Sequence, residues 1–473
     1  MSRPDILLFV SDQHTAMITG YAGDPIIDTP HLDRLAREGT AFDAAYTSCP
    51  LCVPARMSFL TGRYPSRTGV SSNTHVLDSD IPTFAHAMGR AGYETVLCGR
   101  MHFRGPDQHH GFERRLVGDF TPCLHLPGGQ ARKDLGPYAG TPAGDWDKLF
   151  GGGTSPVLEY DRAVVAAALD CLAEPRERPL LLVVGIYGPH HTFVAPPELY
   201  RKYLEIVPPP SREKGTCPLH PVLDEQVARH EIDTDTRHRV RAAYYGMIEH
   251  VDGLVGETRD TFEDVSKRRG RPHLFSYFSD HGEQGGERGL WGKSTFFEAS
   301  ARIPMVWAGQ GVIPQRRLKT PVSMMEVGPT ICALAGAEPP PEQDGQSFAG
   351  LLNGRENDPD RIVISEYIYG KIPARMVRWR KWKLVIYADG SDPVLYDIEN
   401  DRGETRDLAS HEPETTSRLR EVATTDWSCK SILKERARKD RNARYLQQWG
   451  ESVLPEDPYR WPVPESARQL PIA

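Results

Sequence analysis

The sequence predicts an α/β fold: a large, mostly parallel mixed sheet flanked by helices, with a smaller antiparallel α+β subdomain after it. Three observations predict this class. Short apolar segments alternate with helical patterns through the first 310 residues. Polar, titratable residues directly follow four of those segments. From about residue 360 the apolar segments shorten and are separated by turns such as Ala388-Asp389-Gly390. We therefore expect a catalytic region over residues 1–360 and a subdomain with a tail over residues 361–473.

The elements of the first region follow from the spacing of apolar residues. Uninterrupted apolar runs predict strands at residues 6–10, 94–98, 180–186, 274–278 and 304–307. Apolar residues that recur every three or four positions predict helices at 31–38, 83–91, 158–172 and 237–255. Residues 205–235 contain three consecutive prolines and are predicted to be irregular.

The second region differs from the first in the length of its apolar segments and in its composition. Short strands are predicted at residues 361–366, 376–379, 383–387 and 394–396. From Asp440 the chain is rich in charge, proline and aromatic residues. We predict a tail that packs on the body or on a second subunit, which leaves a homo-oligomer open.

The bulk composition excludes several classes. The chain has 473 residues, 39% hydrophobic and 26% charged, which is ordinary for a soluble globular protein. A net charge of −7 gives no support for a nucleic-acid partner. No apolar run is long enough for a membrane span, and the run at residues 6–10 is too short for a signal peptide. The eight cysteines are scattered, so we expect a reducing, cytoplasmic location.

Polar groups at four strand ends predict one shared site. They are Ser11-Asp12-Gln13-His14, Gly99-Arg100-Met101-His102, Gly188-Pro189-His190-His191 and Ser279-Asp280-His281-Gly282-Glu283. Ligands of open α/β sheets bind outside the carboxyl ends of the strands. Asp12, Asp280 and His281 are therefore predicted ligands of a divalent cation, and Gln13 can add a carbonyl oxygen. An oxygen-rich set with one histidine suits Ca²⁺ or Mn²⁺, and also Mg²⁺.

A more specific pattern begins at Cys52, with Cys52-Val-Pro-Ala-Arg56 followed by Leu60-Thr61-Gly62. Pro54 suits the first turn of a helix and Gly62 can end it. Cys52 is then at a helix N-terminus, where free N–H groups favour an anion, and Arg56 adds a positive charge. Cys49 and Cys52 also form a Cys-x-x-Cys pair, so a redox dithiol is an alternative.

This pattern resembles the signature of the type I sulfatases in the alkaline-phosphatase superfamily. The segments from Asp280 to Glu283 and from Gly289 to Lys293 resemble a second sulfatase block. Residues 99–112 are similar to a block of choline sulfatases, and Asp12-Gln13 also occurs in phosphonate monoester hydrolases. The resemblance implies an alkaline-phosphatase-like fold. It also implies a formylglycine (3-oxoalanine) made from Cys52 by a formylglycine-generating or sulfatase-maturing enzyme.

The resemblance further implies a sulfuric ester hydrolase, in which the hydrated formylglycine attacks the sulfur of a small-molecule sulfate ester. Arg56 would orient the hydrate and His102 would deprotonate it. The groups that would bind the sulfuryl oxygens are Asn73, His190 and Lys293, and Lys293 or His190 would protonate the leaving alcohol. The modified Cys52 would join the metal ligands. Arg100 would bind substrate where the family usually has lysine, and arginine cannot donate a proton at neutral pH.

Two other functions remain open. A phosphonate monoester or phosphodiester hydrolase would use the same nucleophile on the same scaffold, and both kinds of enzyme bind a tetrahedral oxyanion. A catalytically inactive binding protein with this fold is the other alternative. The intact set of polar residues argues against it: Asp12, Cys52, Arg56, Asp280 and His281.

Overall fold

A computed structural model of the protein describes residues 3–124, 133–139, 145–211, 219–229 and 232–472. The strands are β1 (Asp5–Asp12), β2 (Thr40–Phe42), β3 (Ala45–Tyr46), β4 (Glu94–Gly99), β5 (Arg114–Leu116), β6 (Gly151–Gly152), β7 (Leu180–Pro189), β8 (Val194–Ala195), β9 (His273–Ser279), β10 (Met305–Gly309), β11 (Arg316–Leu318), β12 (Val322–Ser323), β13 (Ile362–Tyr369), β14 (Ile372–Trp379), β15 (Trp382–Tyr387) and β16 (Val394–Asp397). The α-helices are α1 (Pro30–Glu38), α2 (Cys52–Thr61), α3 (Pro65–Thr68), α4 (Phe84–Arg90), α5 (Pro156–Ala173), α6 (Pro197–Ile206), α7 (Pro221–Arg229), α8 (Thr234–Arg268), α9 (Glu298–Ala301), α10 (Val327–Ala335), α11 (Ala349–Leu352), α12 (Pro413–Thr424) and α13 (Cys429–Val453).

Eight strands form the main sheet, in the order β11-β2-β10-β9-β1-β7-β4-β5. β1 runs parallel to both of its neighbours, β7 and β9, and β4 runs parallel to β7 and β5. β10 is antiparallel to β9 and β2. The predicted mostly parallel mixed sheet is therefore confirmed. Because β1, β4, β7 and β9 point the same way, their carboxyl ends lie along one edge of the sheet.

The main sheet is buried on both faces. In β1, Leu7 and Phe9 enter one core, whereas Ile6, Leu8 and Val10 enter the other. Helices α1, α5 and α8 cover the first face, and α2, α4 and α10 cover the second. This two-sided burial explains why the strand reads as a continuous apolar run. Each such side chain stabilises the fold by about 1.5–3 kcal/mol, so the strands form a firm base for the residues at their ends.

The smaller sheet is an antiparallel meander, β13-β14-β15-β16. One face packs against Tyr46, Phe296 and Phe297 of the main body, and α12 covers the other. At the junction, the fully buried Lys383 donates to the Phe296 carbonyl at 2.8 Å and to Glu298 Oε1 at 2.9 Å. The predicted antiparallel α+β subdomain is confirmed.

Three stretches differ from the prediction. Part of the segment predicted to be irregular, residues 205–235, forms α7, and residues 212–218 and 230–231 lie outside the described part of the chain. Helix α8 continues to Arg268, well beyond residue 255. The predicted tail from Asp440 is helical as far as Val453. The sequence did not predict this helix because α13 buries only Lys439 and Gly450, and its residues therefore show no apolar periodicity. Over the described ranges, no helix is both long and apolar enough to cross a membrane.

After α13, the chain returns to the main body. Residues 457–461, called the strap below, lie along residues 118–124. Asp119 forms a parallel bridge with Arg460, and the Trp461 ring packs edge-on against Tyr160 at 5.4 Å. The aromatic end of the sequence therefore packs on the body.

Candidate active site

Helix α2 places Cys52 at its first turn, as predicted. Gly62 ends the helix in the left-handed conformation, with φ 68°, and all ten residues of the helix are buried. Asn73 Oδ1 accepts a hydrogen bond from the Val53 N–H at 3.0 Å, which satisfies one of the free donors at the helix N-terminus. The Asn73 amide nitrogen has no hydrogen-bond partner within the described residues. This amide therefore remains available as a donor beside Cys52.

Four of the five predicted metal ligands meet at the sheet edge. The ligand atoms of Asp12, Cys52, Asp280 and His281 all lie within 4.8 Å of one another, and all four residues are buried. Cys52 Sγ is 3.1 Å from His281 Nε2 and 3.7 Å from Asp12 Oδ1. His281 Nδ1 lies 3.0 Å from the Gly282 carbonyl, which can only accept, so Nε2 keeps its lone pair for the cluster. Two carboxylates and an imidazole lone pair fit a divalent cation.

Two buried arginines hold the carboxylates of this cluster. Arg56 donates to Asp280 Oδ2 at 2.9 Å and to Asp12 Oδ2 at 3.2 Å, and Arg100 donates to Asp12 Oδ2 at 2.6 Å. Burial alone would raise the pKa of Asp12. The guanidinium charges of Arg100 and Arg56 outweigh burial and hold that pKa well below its ordinary value. Asp12 is therefore ionised before any cation binds.

Gln13 lies beside the cluster, but its side chain is engaged elsewhere. Its backbone N–H donates to Asp280 Oδ1 at 3.1 Å. Its amide oxygen accepts from Lys293 and its amide nitrogen donates to Glu283. The predicted role of Gln13 as a metal ligand stays a prediction, because its oxygen would first have to leave Lys293.

Lys293 and His190, predicted to bind substrate, form a contact pair between Lys293 Nζ and His190 Nε2. His190 Nδ1 is 2.7 Å from the His191 carbonyl, so Nδ1 carries the proton and Nε2 accepts from the lysine. Burial, together with His191 and Lys293, lowers the pKa of His190 well below its ordinary value. The imidazole is therefore neutral, and its Nε2 is an acceptor that faces Lys293 Nζ.

The redox alternative loses support at Cys49. The Cys49 thiol is free and buried, and burial raises its pKa well above the ordinary value. Redox exchange requires the thiolate, which this environment disfavours.

Two acidic residues contribute to the site although no pattern assigned them a role. Glu283 Oε1 accepts from the N–H groups of Gly285 at 2.9 Å and Gly292 at 2.6 Å, and so fixes the loop that carries Lys293. Asp119 accepts from Arg100 and from the His102 backbone. The sequence could have indicated Glu283, because this residue closely follows the predicted ligand His281. Asp119 follows no predicted strand and lies on no periodic element, so spacing carries no signal for it.

Comparison with known proteins agrees with this geometry. The Sulfatase family model matches residues 4–337, and a model described as N-sulphoglucosamine sulphohydrolase, C-terminal, matches residues 286–424. A choline-sulfatase of Rhizobium meliloti is 34% identical, over 91% of this chain and 88% of its own length. An arylsulfatase K of Danio rerio is 25% identical, over 95% and 89%. The crystal structure of the phosphonate monoester hydrolase of Agrobacterium radiobacter has the same fold, with a TM-score of 0.71 at 22% identity, covering 92% of this chain and 96% of that one. Since the buried cluster lies within the matched region and the first relative spans nearly the whole chain, the chain belongs to the sulfatase family and is a sulfuric ester hydrolase.

Proposed function

We propose that this sulfatase hydrolyses a small-molecule sulfate ester at Cys52, after a maturing enzyme has converted Cys52 to formylglycine. The observation that carries the proposal is the buried cluster of Asp12, Cys52, Asp280 and His281, whose ligand atoms lie within 4.8 Å of one another. When present, the formylglycine hydrate supplies a nucleophilic hydroxyl and the cation supplies Lewis acidity. The family implies both groups. Ca²⁺ or Mn²⁺, and also Mg²⁺, suit the donor set.

The chain's own residues would bind and orient the sulfuryl group. The Asn73 amide and the Lys293 ammonium are donors beside the cluster, suited to oxygens that gain negative charge in the transition state. Lys293 is also the better acid for the leaving alcohol, because the neutral His190 accepts a hydrogen bond from it. Arg56 and Arg100 hold the carboxylates of Asp280 and Asp12 in place.

The test begins with the modification. We expect mass spectrometry of the Cys52 peptide to find formylglycine after co-expression with a maturing enzyme. Protein confirmed in this way should turn over an aryl sulfate faster than an aryl phosphonate monoester. Cys52→Ala should abolish turnover with little loss of stability, whereas Cys332→Ala, at an equally buried cysteine in α10, should keep it. Full activity in protein with an unmodified Cys52 would overturn the proposal. Faster phosphonate turnover would favour a phosphonate hydrolase.

The natural substrate is the next question. The name of the Rhizobium relative makes choline sulfate the first compound to try, followed by aryl and sugar sulfates. Every cysteine in the described part of the chain is a free thiol, which supports the proposed cytoplasmic location.

A further inference from the structure

We infer that Asp119 is a positioning residue that acts through Arg100 to hold His102 as a hydrogen-bond donor toward the sulfuryl group. The family resemblance implied instead that His102 is a base. The inference rests on the proposed function for the identity of the substrate. Its structural part concerns only where the His102 proton lies, and it can be tested without turnover.

The contact between Arg100 and His102 decides the position of that proton. Arg100 Nη2 lies 2.8 Å from His102 Nδ1. A guanidinium has donors only and stays charged at neutral pH, so Nδ1 must accept. A neutral imidazole that accepts at Nδ1 carries its proton on Nε2. A base would need the lone pair on Nε2, and therefore a proton on Nδ1 pointing at the guanidinium N–H.

The other ring nitrogen is available to a ligand. Within the described residues, His102 Nε2 has no hydrogen-bond partner, although the side chain is almost wholly buried. Arg100, which holds the ring, also donates to Asp12 of the cluster at 2.6 Å. An N–H group held in this way can donate to a sulfuryl oxygen bound at the cluster as that oxygen gains charge. Lysine, which the family usually has in place of Arg100, could give up its proton to the imidazole, but arginine cannot. This substitution in the sequence therefore changes what His102 can do.

Asp119 fixes both partners of this contact. Its Oδ1 accepts from Arg100 Nη1 at 2.9 Å, and its Oδ2 accepts from the His102 backbone N–H at 2.7 Å. Thr121 also donates to Oδ1, through its N–H at 3.0 Å and its hydroxyl at 2.9 Å. His102 has a φ of 59°, in the left-handed region, which a non-glycine residue keeps only where its surroundings hold it. The bond from Asp119 to the His102 N–H does this.

The strap in turn fixes Asp119. The Asp119 N–H donates to the Tyr459 carbonyl at 2.6 Å, and the Trp461 N–H donates to the Asp119 carbonyl at 2.9 Å. At Gly118 the strap approaches so closely that a Cβ atom would lie 1.7 Å from the Tyr459 oxygen. A carboxylate whose backbone is held on both sides can orient Arg100 and His102 precisely enough to select one tautomer.

The direct test is the tautomer of His102 in the intact protein. Two-dimensional NMR on protein with ¹⁵N-labelled histidine distinguishes Nε2–H from Nδ1–H, and the signal missing from His102→Gln identifies His102. We expect the Nε2–H form in the parent protein. The Nδ1–H form would overturn the inference and leave the proposed function standing. Conversely, absence of sulfate turnover together with the Nε2–H form would count against the proposed function while the tautomer assignment held.

Kinetics separate a donor from a base. Glutamine keeps an N–H donor but cannot take up a proton, so His102→Gln should stay within about tenfold of parental kcat. His102→Ala should lose about 10²–10³-fold, as for removal of a transition-state donor. Equal losses in the two variants would indicate a base and overturn the inference.

Asp119→Asn tests the positioning role. One asparagine oxygen cannot accept from both Arg100 and the His102 N–H, so we expect kcat to fall at least tenfold with KM little changed, and the His102 signal to become a tautomer mixture. Asp134→Asn is the matched control, since it also replaces a carboxylate by an amide, at a residue that pairs with Arg460 of the strap. Parental kcat together with the parental tautomer in Asp119→Asn would overturn the role of Asp119.

Discussion

Replacing Arg56 with alanine should show how strongly the carboxylates of Asp12 and Asp280 depend on a buried guanidinium. The guanidinium is fully buried and bonds Asp280 at 2.9 Å and Asp12 at 3.2 Å. Asp12 would keep Arg100, but Asp280 Oδ2 has no other hydrogen-bond partner in the described part of the chain. Removing one partner of a buried ion pair costs about 3–5 kcal/mol. We therefore expect a loss of that size in the free energy of unfolding of metal-free Arg56→Ala.

A divalent cation would give the same carboxylates a new positive partner. The loss should consequently be smaller when Ca²⁺ or Mn²⁺ is saturating than in EDTA. Urea unfolding followed by circular dichroism measures both values. Arg56→Lys keeps the charge without the planar fork and should fall between the parent and Arg56→Ala. The control is Arg178→Ala, which breaks a surface pair with Glu113 whose side chains are 50% and 40% exposed, and should cost no more than about 1 kcal/mol.

Two results would refute this reasoning. If Arg56→Ala in EDTA loses no more than the surface control, the buried ion pair does not support the fold. If the loss is the same with and without the cation, the cation does not bind at Asp12 and Asp280.

Three further predictions concern pH, the Lys293 loop and the metal. Burial raises the pKa of Asp161 to about 7 from an ordinary 3.8, so the stability it contributes is full below about pH 4 and lost as pH rises through about 7. This decrease in the free energy of unfolding, up to about 4 kcal/mol, should be absent from Asp161→Asn. Urea unfolding at a series of pH values measures it, and the same pH dependence in the variant and the parent protein would contradict the prediction. Glu283→Ala leaves the N–H groups of Gly285 and Gly292 without their acceptor, so unfolding should cost about 1–3 kcal/mol less and aryl sulfate kcat should fall; an unchanged kcat would exclude a role in holding Lys293. EDTA should abolish aryl sulfate turnover and added Ca²⁺ or Mn²⁺ should restore it, whereas activity that survives exhaustive chelation would exclude the cation.

The strands and the convergence of Asp12, Asp280 and His281 could be predicted because buried strands are recognisable in the sequence as apolar runs. β1 is apolar on both faces because two cores meet on it, and the same was true of β7 and β9. Once those strands were identified as parallel, their polar ends had to converge. The sequence alone therefore predicts that Asp12, Asp280 and His281 lie together.

Other features leave no such trace. The 25 residues of α13 are mostly polar and show no apolar periodicity. The helix is held instead by polar contacts such as that between Lys439 Nζ and Asp78 Oδ1 at 2.6 Å. Asp119 depends on pairing with the strap, a contact between distant parts of the chain that local spacing cannot reveal. The proton positions on His102 and His190 depend on which atom faces each ring nitrogen, and this needs three dimensions.

The strap also bears on the order of events during synthesis. Ribosomes add about 5–20 residues per second, so roughly 20–80 s pass between the making of Cys52 and that of the strap. Until then residues 118–124 lack a partner that the finished fold requires. In the finished fold Cys52 is only 1% exposed, out of reach of another enzyme. We therefore expect the proposed maturation of Cys52 to take place within this interval. Folded protein with an unmodified Cys52 should not be modified by incubation with the maturing enzyme. It should be modified only if it is unfolded and then refolded in the presence of that enzyme.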